Sequence, residues 1–181
     1  EETKMQAVSS LYYAPIIQVA VCLNDTAEKA FAAFGGLVPS AEAQPVLGIL
    51  FPSSCFEGRA PQGGAVFSVF IGGVRHAEML DSSDEEMVEI IDDVLHRMLR
   101  LPAEVKPAHL GIFRHPRAIP QYEASSEQRL AAVEALETAY PGLTLAGNLR
   151  DGIGMADRIR QGATVARHIA SICLGSYAGG V

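Results

Sequence analysis

Three apolar runs in the first half of the chain predict β-strands, because each is short, rich in β-branched residues and bounded by turn residues. The runs cover residues 12–23, 46–51 and 65–71. Pro15 predicts a bend near the start of the first run, and Pro52 ends the second. The connection between the second and third runs is short enough for antiparallel pairing. Residues 34–40 are predicted to form a loop with embedded hydrophobic side chains.

A helix is predicted from about Asp84 to Leu99, because apolar residues recur there at helical spacing and would lay one face on a sheet. These residues are Met87, Ile90, Ile91, Val94, Leu95, Met98 and Leu99. Ser83 and Glu86 have the spacing of a capping box, which predicts the start of the helix. The many acidic residues between Asp81 and Asp93 indicate a solvated face, since the spacing and the glycine of a calcium loop are missing. No metal site is predicted.

The second half of the chain alternates strand and helix signals. Lys106 to Phe113 predicts a strand, and residues 114–122 predict a shaped loop because two prolines impose extended backbone there. A helix is predicted from Ser125 or Ser126 to Tyr140. The last elements are a short apolar strand over residues 143–148 and a helix that begins near Gly154.

This order of elements favours an α+β fold with a mostly antiparallel sheet packed by helices. The last strand and helix differ, since a buried strand that feeds a helix N-terminus is typical of a parallel nucleotide-binding sheet. One strand cannot form that sheet, so its remainder is expected from sequence outside these residues. The start at Glu1 and the glycine-rich residues 175–181 also suggest a piece of a longer polypeptide with a flexible C-terminal tail.

The turn before the last helix is the most informative candidate site. Gly147, Gly152 and Gly154 allow a sharp turn and a close approach to a ligand. The first turn of a helix leaves about four N–H groups unpaired and carries roughly half a positive charge. A phosphate, a carboxylate or an anionic ring can use both, although an ordinary strand–turn–helix connection would have the same glycines. The turn is not a dinucleotide fingerprint, because Asp157 stands at the position of the third glycine.

Composition argues against nucleic-acid binding and favours a reducing cellular compartment. A formal net charge of −7 and the lack of a basic stripe exclude a general nucleic-acid surface. Cys22, Cys55 and Cys173 are odd in number and far apart, which favours buried free thiols in a reducing compartment. The sequence contains neither a long apolar run nor a signal-like leader, so a soluble, cytoplasmic protein is expected.

Five blocks of the sequence resemble successive blocks of the oxygen-dependent protoporphyrinogen oxidases. The blocks are residues 34–39, 47–61, 69–73, 118–122 and 145–166. They occur in the same order as in that family and extend over nearly the whole chain. The resemblance is to the C-terminal part of the family's sequence. His115 departs from the pattern, since the family usually has a tryptophan there, so a structural loop role for this histidine is favoured over a pocket role.

The resemblance implies membership of the flavin amine oxidase group, noncovalent FAD, and oxidation of protoporphyrinogen IX to protoporphyrin IX by molecular oxygen in haem biosynthesis. It implies that residues 1–140 belong to a substrate-binding domain, that 141–174 complete an FAD-binding domain, and that 175–181 form a tail. The cofactor contacts it implies are Gly147, Asn148, Ile153, Gly154 and Met155. The N–H groups of the helix start would face the N1/C2=O edge of the flavin.

Leu37 and Phe51 align with apolar positions that help to hold the tetrapyrrole in this family, and ordinary core packing is the alternative for both. The family's glycine-rich segment for the FAD pyrophosphate does not occur in these residues, so the chain alone is expected to be inactive. No catalytic acid, base or nucleophile is assigned, because the cofactor carries the chemistry in flavin enzymes.

Two other functions stay open. The chain would also suit a free-standing, non-catalytic binding domain, with the apolar segments near Phe34 and Phe51 as an interface. It would also suit a related flavin oxidase that acts on coproporphyrinogen, an amine or a carotenoid. Peripheral contact with a membrane is left open in either case. Self-association of the fragment is expected, because apolar surface meant for another part of the protein would be exposed and a two-fold dimer is the commonest way to cover it.

Overall fold

The computed structural model describes residues 2–178, with the side chains of residues 2–172. The chain forms two compact units. The first, here called the sheet unit, is Ala14–Ala118. The second, the helical unit, combines the segment up to Tyr13 with the segment from Ile119 onward. The boundary predicted at residue 140 does not coincide with these units, and the assignment of substrate and FAD domains stays a prediction.

The sheet has five strands in the order β2-β3-β4-β1-β5. The strands are β1 Tyr13–Leu23, β2 Gly35–Leu37, β3 Val46–Leu50, β4 Ala65–Gly72 and β5 His109–Pro120. Strand β4 pairs antiparallel with β1 on one side and with β3 on the other, so that Val69 lies opposite both Val19 and Ile49. Strand β2 pairs antiparallel with β3. These pairings confirm the predicted α+β fold with an antiparallel sheet.

Five α-helices accompany the sheet in the described part of the chain. They are α1 Glu2–Ser9, α2 Pro52–Cys55, α3 Asp84–Asp93, α4 Ser126–Ala139 and α5 Met155–Ala178. Helix α1, which the sequence did not predict, packs against α4 in the helical unit. Among residues 2–178, none of the helices is both long and apolar enough to cross a membrane.

The core of the sheet unit lies between the sheet and α3. Alternate residues of β1 and β4 are fully buried there, because successive side chains of a strand point to opposite faces. Met87 and Ile91 of α3 pack onto this layer, as the helical spacing predicted. The predicted capping box is present: the Ser83 Oγ accepts the Glu86 N–H at 3.2 Å, and a Glu86 carboxylate oxygen accepts the Ser83 N–H at 2.8 Å. After Asp93 the helix continues as a π-helical turn over Val94–Met98.

Basic side chains pair with two carboxylates of the acidic face of α3. Lys106 contacts Asp92 at 2.8 Å and Arg97 contacts Asp93 at 2.7 Å, and these hydrogen bonds hold the pKa of both carboxyl groups below the usual value. Within the described residues, no three His, Cys, Asp or Glu side chains gather closely enough to hold a metal ion.

Two predicted loops contain strand. The loop predicted over residues 114–122 is wrong in its first part, because β5 runs on to Pro120. The prolines are tolerated since β5 is the edge strand of the sheet, where one side needs no backbone N–H. The loop predicted over residues 34–40 contains the short strand β2.

The strand predicted over residues 143–148 is absent, since no strand occurs among residues 121–178 of the structure. The backbone N–H and C=O groups of a strand need hydrogen-bond partners on a neighbouring strand. In residues 143–148, side chains provide such partners instead. Glu137 accepts the Leu145 N–H, and Gln161 accepts the Gly147 N–H, each at 2.8 Å. Helix α5 extends through Ala178, so the predicted tail begins inside a helix, and residues 179–181 lie outside the described part.

The cysteines depart from the expected burial. Cys22 is half-buried and Cys55, at the end of α2, is exposed; both are free thiols. The side chain of Cys173 lies outside the described residues.

Candidate functional site

Four of the five residues predicted to contact a cofactor lie in one turn, residues 147–154, which leads into α5 and is called here the glycine turn; the fifth, Met155, is the first residue of α5. Its backbone has positive φ at Gly147 (106°), Asp151 (65°) and Gly152 (89°). Glycine adopts such values without steric cost, which explains two of the three positions. A Cβ added at Gly147 would meet nothing within 4 Å, so the space beside this glycine is open.

Side chains from before and within α4 hold the middle of the glycine turn. The Tyr122 hydroxyl donates to the Asn148 carbonyl at 2.9 Å and to the Gly152 carbonyl at 3.3 Å. The Arg129 Nε donates to the Leu149 carbonyl at 3.2 Å, and its guanidinium lies over the Tyr122 ring. Arg129 is 4% exposed, so this buried charge is compensated by hydrogen bonds and by the ring.

Two polar side chains of α5 hold residues 147–151 of the glycine turn. The Arg158 guanidinium donates to the Gly147 carbonyl and, at 2.8 Å, to the Arg150 carbonyl. Gln161 accepts the Gly147 N–H and donates to the Asp151 carboxylate at 2.7 Å. These side chains reach the turn because residues in a helix project toward its N-terminus.

The carbonyls of the glycine turn accept hydrogen bonds from side chains, whereas several of its N–H groups have no acceptor among the described residues. In a trans peptide the N–H of the next residue points opposite to the carbonyl, so each such N–H points away from its Tyr or Arg donor. Four of these N–H groups are those of Asn148, Leu149, Asp151 and Ile153. None of them meets an acceptor among the described residues. Together with the N–H groups of the first turn of α5, they give the surface of the glycine turn hydrogen-bond donors that would suit an anionic or acceptor-rich group.

Apolar side chains border this surface. Met155 is 80% exposed and Ile153 is 45% exposed, although both are hydrophobic. The Asp157 carboxylate accepts the Gly154 N–H at 3.3 Å at this end of the turn. The surface therefore combines N–H donors with apolar contacts, as a flat ring with a polar edge requires.

A half-buried ion pair between Arg150 and Glu137 links the glycine turn to α4. Arg150 donates two hydrogen bonds to the Glu137 carboxylate, at 3.0 and 2.9 Å, and the Leu145 N–H donates to the same group. Burial by itself would raise the pKa of Glu137, but the hydrogen bonds from Arg150 and Leu145 outweigh it and hold the pKa below its usual range. Glu137 is therefore ionised at neutral pH and keeps the approach to the turn in place.

The two residues predicted to contact substrate are not brought together. Phe51 is buried in an aromatic cluster, with ring centroids 5.4 Å from Phe31 and 5.3 Å from Phe67. Leu37, on β2, is 88% exposed. The burial of Phe51 favours core packing, the alternative that the sequence left open, whereas Leu37 is free to contact a ligand. Substrate contact by either residue stays a prediction. His115 is exposed on β5.

The side chains that hold the glycine turn were missed by the sequence analysis of the site. Arg158 and Gln161 follow the helix start at a spacing that places both on one helix face, and this signal was available. Tyr122 lies within one of the five family-like blocks. Arg129 and Glu137 gave no signal, because they reach the turn only through the packing of α4.

Comparison with known proteins gives the family. The family described as flavin containing amine oxidoreductase matches residues 1–170. The chain belongs to this family. The flavin containing amine oxidoreductases are oxidoreductases, and membership implies a flavin cofactor.

Individual relatives in this family carry more specific names. Protoporphyrinogen oxidase 1, chloroplastic, from Arabidopsis thaliana is 33% identical over 85% of this chain and 30% of the relative. Coproporphyrinogen III oxidase from Bacillus subtilis (strain 168) is 30% identical over 57% of this chain and 22% of the relative. A solved structure from Exiguobacterium sp. 255-15 matches with a TM-score of 0.74 at 21% identity, over 92% of this chain and 36% of that one, and it supports the fold. The chain spans about a third of the length of the first curated relatives.

Proposed function

We propose that this chain is the C-terminal portion of an FAD-dependent protoporphyrinogen oxidase, which oxidises protoporphyrinogen IX to protoporphyrin IX with molecular oxygen. The observation that carries the proposal is the glycine turn, where a donor-rich, apolar-bordered surface occurs in a member of a flavin family. The five blocks in family order and the name of the Arabidopsis relative support the choice of substrate.

The glycine turn fits a flavin by its own chemistry. The N–H groups of the turn and of the first turn of α5 suit the N1/C2=O edge, where they stabilise negative charge. Ile153 and Met155 provide apolar contact for the ring. Gly154 keeps the helix start free of a side chain that would separate the backbone from the ring. When bound, FAD supplies the redox chemistry, taking hydride from the porphyrinogen and passing electrons to oxygen.

The sheet unit is assigned to the substrate side. Its exposed apolar side chains, which include Phe34 at 72% and Leu37 at 88%, suit a tetrapyrrole or another part of the same protein. Without the pyrophosphate-binding segment the chain alone is inactive, and its exposed apolar surface makes it self-associate. The parent enzyme is cytoplasmic in this proposal, and peripheral attachment to a membrane is compatible with it.

The test uses the full-length parent protein with Gly154→Asp. The new carboxylate would stand at the flavin edge, so bound flavin per protein and turnover should both fall. Gly162→Asp controls for the added charge, because it places a carboxylate on an exposed glycine of α5 about 12 Å further along, where a Cβ meets nothing within 4 Å; at Gly154 a Cβ would lie 3.1 Å from the Asp157 carboxylate. A Gly154→Asp protein that retains its yellow colour and turnover would show that the turn does not contact flavin.

The sequence that precedes Glu1 in the natural polypeptide tests the broader proposal. A glycine-rich strand–turn–helix there supports the flavoenzyme. A start codon directly before Glu1 would instead support the non-catalytic binding domain.

Coproporphyrinogen oxidation is the second candidate, and the similarity to the Bacillus subtilis enzyme favours it. Porphyrin fluorescence appears when a porphyrinogen is oxidised, so the parent protein can be assayed on protoporphyrinogen and coproporphyrinogen side by side. A larger kcat/KM on coproporphyrinogen would replace the proposed substrate.

A further inference from the structure

We propose that Arg158 is a positioning residue for the flavin contact, because it orients the glycine turn so that backbone N–H groups face the cofactor. The inference rests on the proposed function and adds a residue that makes no cofactor contact itself.

The geometry of Arg158 suits this role. Its two terminal nitrogens reach different carbonyls of the glycine turn, those of Gly147 and Arg150, which are three residues apart. A planar guanidinium presents several N–H donors in a rigid fork, whereas a lysine ammonium is a single point charge on a flexible stem. Arg158 can therefore set the distance between the two carbonyls as well as the direction of each peptide.

Gln161 fixes Arg158 and completes the arrangement. The Gln161 side-chain oxygen accepts from Arg158 at 2.7 Å and from the Gly147 N–H at 2.8 Å. Gly147 thus has both its N–H and its carbonyl held by side chains of α5, at a φ of 106° that only glycine adopts readily. Gln161 is 8% exposed, so the arrangement is shielded from competing water.

The bonds from Arg158 fix the orientation of two peptide groups. With the carbonyls of Gly147 and Arg150 turned toward Arg158, the N–H groups of Asn148 and Asp151 are turned away from it. Neither N–H has an acceptor in the described part of the chain. Without Arg158, the Gly147 carbonyl loses its side-chain donor and the Arg150 carbonyl keeps only the longer contact of 3.5 Å from the Gln161 amide, so both peptides can rotate their N–H groups away from the cofactor side.

Arg158 also places a positive charge beneath the turn, so charge and positioning must be separated by experiment. Arg160 supplies the matched control. It lies two residues further along α5, its side chain is 73% exposed, and among the described residues it bonds Asp157 and no atom of residues 147–154. Arg160→Gln removes one charge from the same region, while Asp157 keeps its own bond to the Gly154 N–H.

The experiment compares the full-length flavoprotein with Arg158→Gln, Arg158→Lys and Arg160→Gln. The dissociation constant of FAD is measured by spectral titration, and the reduction potential of bound flavin is measured by equilibration with reference dyes. Arg158→Gln should raise the dissociation constant at least about tenfold, equivalent to about 1.4 kcal/mol, and make the potential more negative. Arg160→Gln should stay within about twofold of the parent in affinity. Arg158→Lys retains the charge and one carbonyl contact, so its values should lie between those of parent and Arg158→Gln.

Equal affinity and potential in Arg158→Gln and the parent would overturn the inference. An equal shift in Arg160→Gln would also overturn it, because the effect would then be one of charge alone. If Arg158→Gln does not fold, the test rests on Arg158→Lys. An FAD dissociation constant and a flavin potential equal to those of the parent in Arg158→Lys would then overturn the positioning role of Arg158.

A readout without flavin separates this inference from the proposed function. Amide hydrogen exchange at Gly147, whose N–H is bonded to Gln161, should become faster in Arg158→Gln and stay unchanged in Arg160→Gln. Failure of the parent to bind FAD would refute the proposed function. Unchanged exchange in Arg158→Gln would refute the positioning of the turn.

Discussion

Phe51 offers the sharpest test of how the sheet unit is built, because the sequence left two roles open for it. Its ring is 9% exposed and makes edge-to-face contacts with the rings of Phe31 and Phe67. If Phe51 is a core residue, Phe51→Ala must destabilise the fold. If it serves only substrate binding, stability should be unaffected.

The structure sets the size of the expected effect. Burial of a phenylalanine makes Phe→Ala substitutions cost about 3–5 kcal/mol, and each well-oriented aromatic pair adds about 0.5–1.5 kcal/mol beyond its area. Phe51 lies at the margin of the core, where neighbours can partly relax, so about 3 kcal/mol is expected for Phe51→Ala. Leu37→Ala is the matched control: Leu37 is 88% exposed, and a loss below about 0.5 kcal/mol is expected.

The assay is urea unfolding of the chain, followed by circular dichroism. Phe51→Ala should lower the midpoint while the slope of the transition stays the same, since the surface exposed on unfolding is nearly unchanged. A loss below about 1 kcal/mol for Phe51→Ala, or a larger loss for Leu37→Ala, would refute the packing argument.

Two further predictions concern polar contacts. Glu137→Gln removes the charge that binds Arg150 and should cost about 1–3 kcal/mol at neutral pH. Because the folded pKa of Glu137 is lower than the unfolded pKa, the contribution of Glu137 to stability is present above the unfolded pKa and is lost as pH falls through the folded value. Urea midpoints at about pH 6 and pH 3 should therefore differ less in Glu137→Gln than in the parent, and an equal difference would contradict the ion pair. Ser83→Ala removes the capping box and should lower the free energy of unfolding by about 1 kcal/mol in the same assay. Ser82→Ala is the control and should cost almost nothing, because Ser82 bonds Arg114 and Met79 through its backbone. Equal losses in the two variants would argue against the cap.

Much of the sheet unit was predictable because its signals are local. The strands β1, β3 and β4 follow from short apolar runs bounded by turn residues, and the start of α3 follows from the Ser83–Glu86 pair. Strand β5 was predicted too short, because Pro116 and Pro120 normally break strands. Only its place at the edge of the sheet, which depends on pairing across the chain, makes those prolines harmless.

The candidate site was predictable in position but not in construction. The glycines and the helix start mark the turn, and the family resemblance selects the same residues. The side chains that hold the turn come from distant positions: Tyr122 lies 26 residues before Asn148, and Arg129 lies 20 residues before Leu149. No periodicity or spacing in the sequence connects such pairs.

The sequence by itself determined the α+β class, the main strands, the capped helix and the location of the glycine turn, because hydrophobic periodicity, capping and glycine conformational freedom act over a few residues. The tertiary structure alone decided that residues 143–148 form no strand, that β5 continues past its prolines, and that carbonyls of the turn are taken by Tyr122, Arg129 and Arg158. Each of these outcomes depends on which partner satisfies a backbone hydrogen bond. That partner is chosen by the packing of elements far apart in the chain.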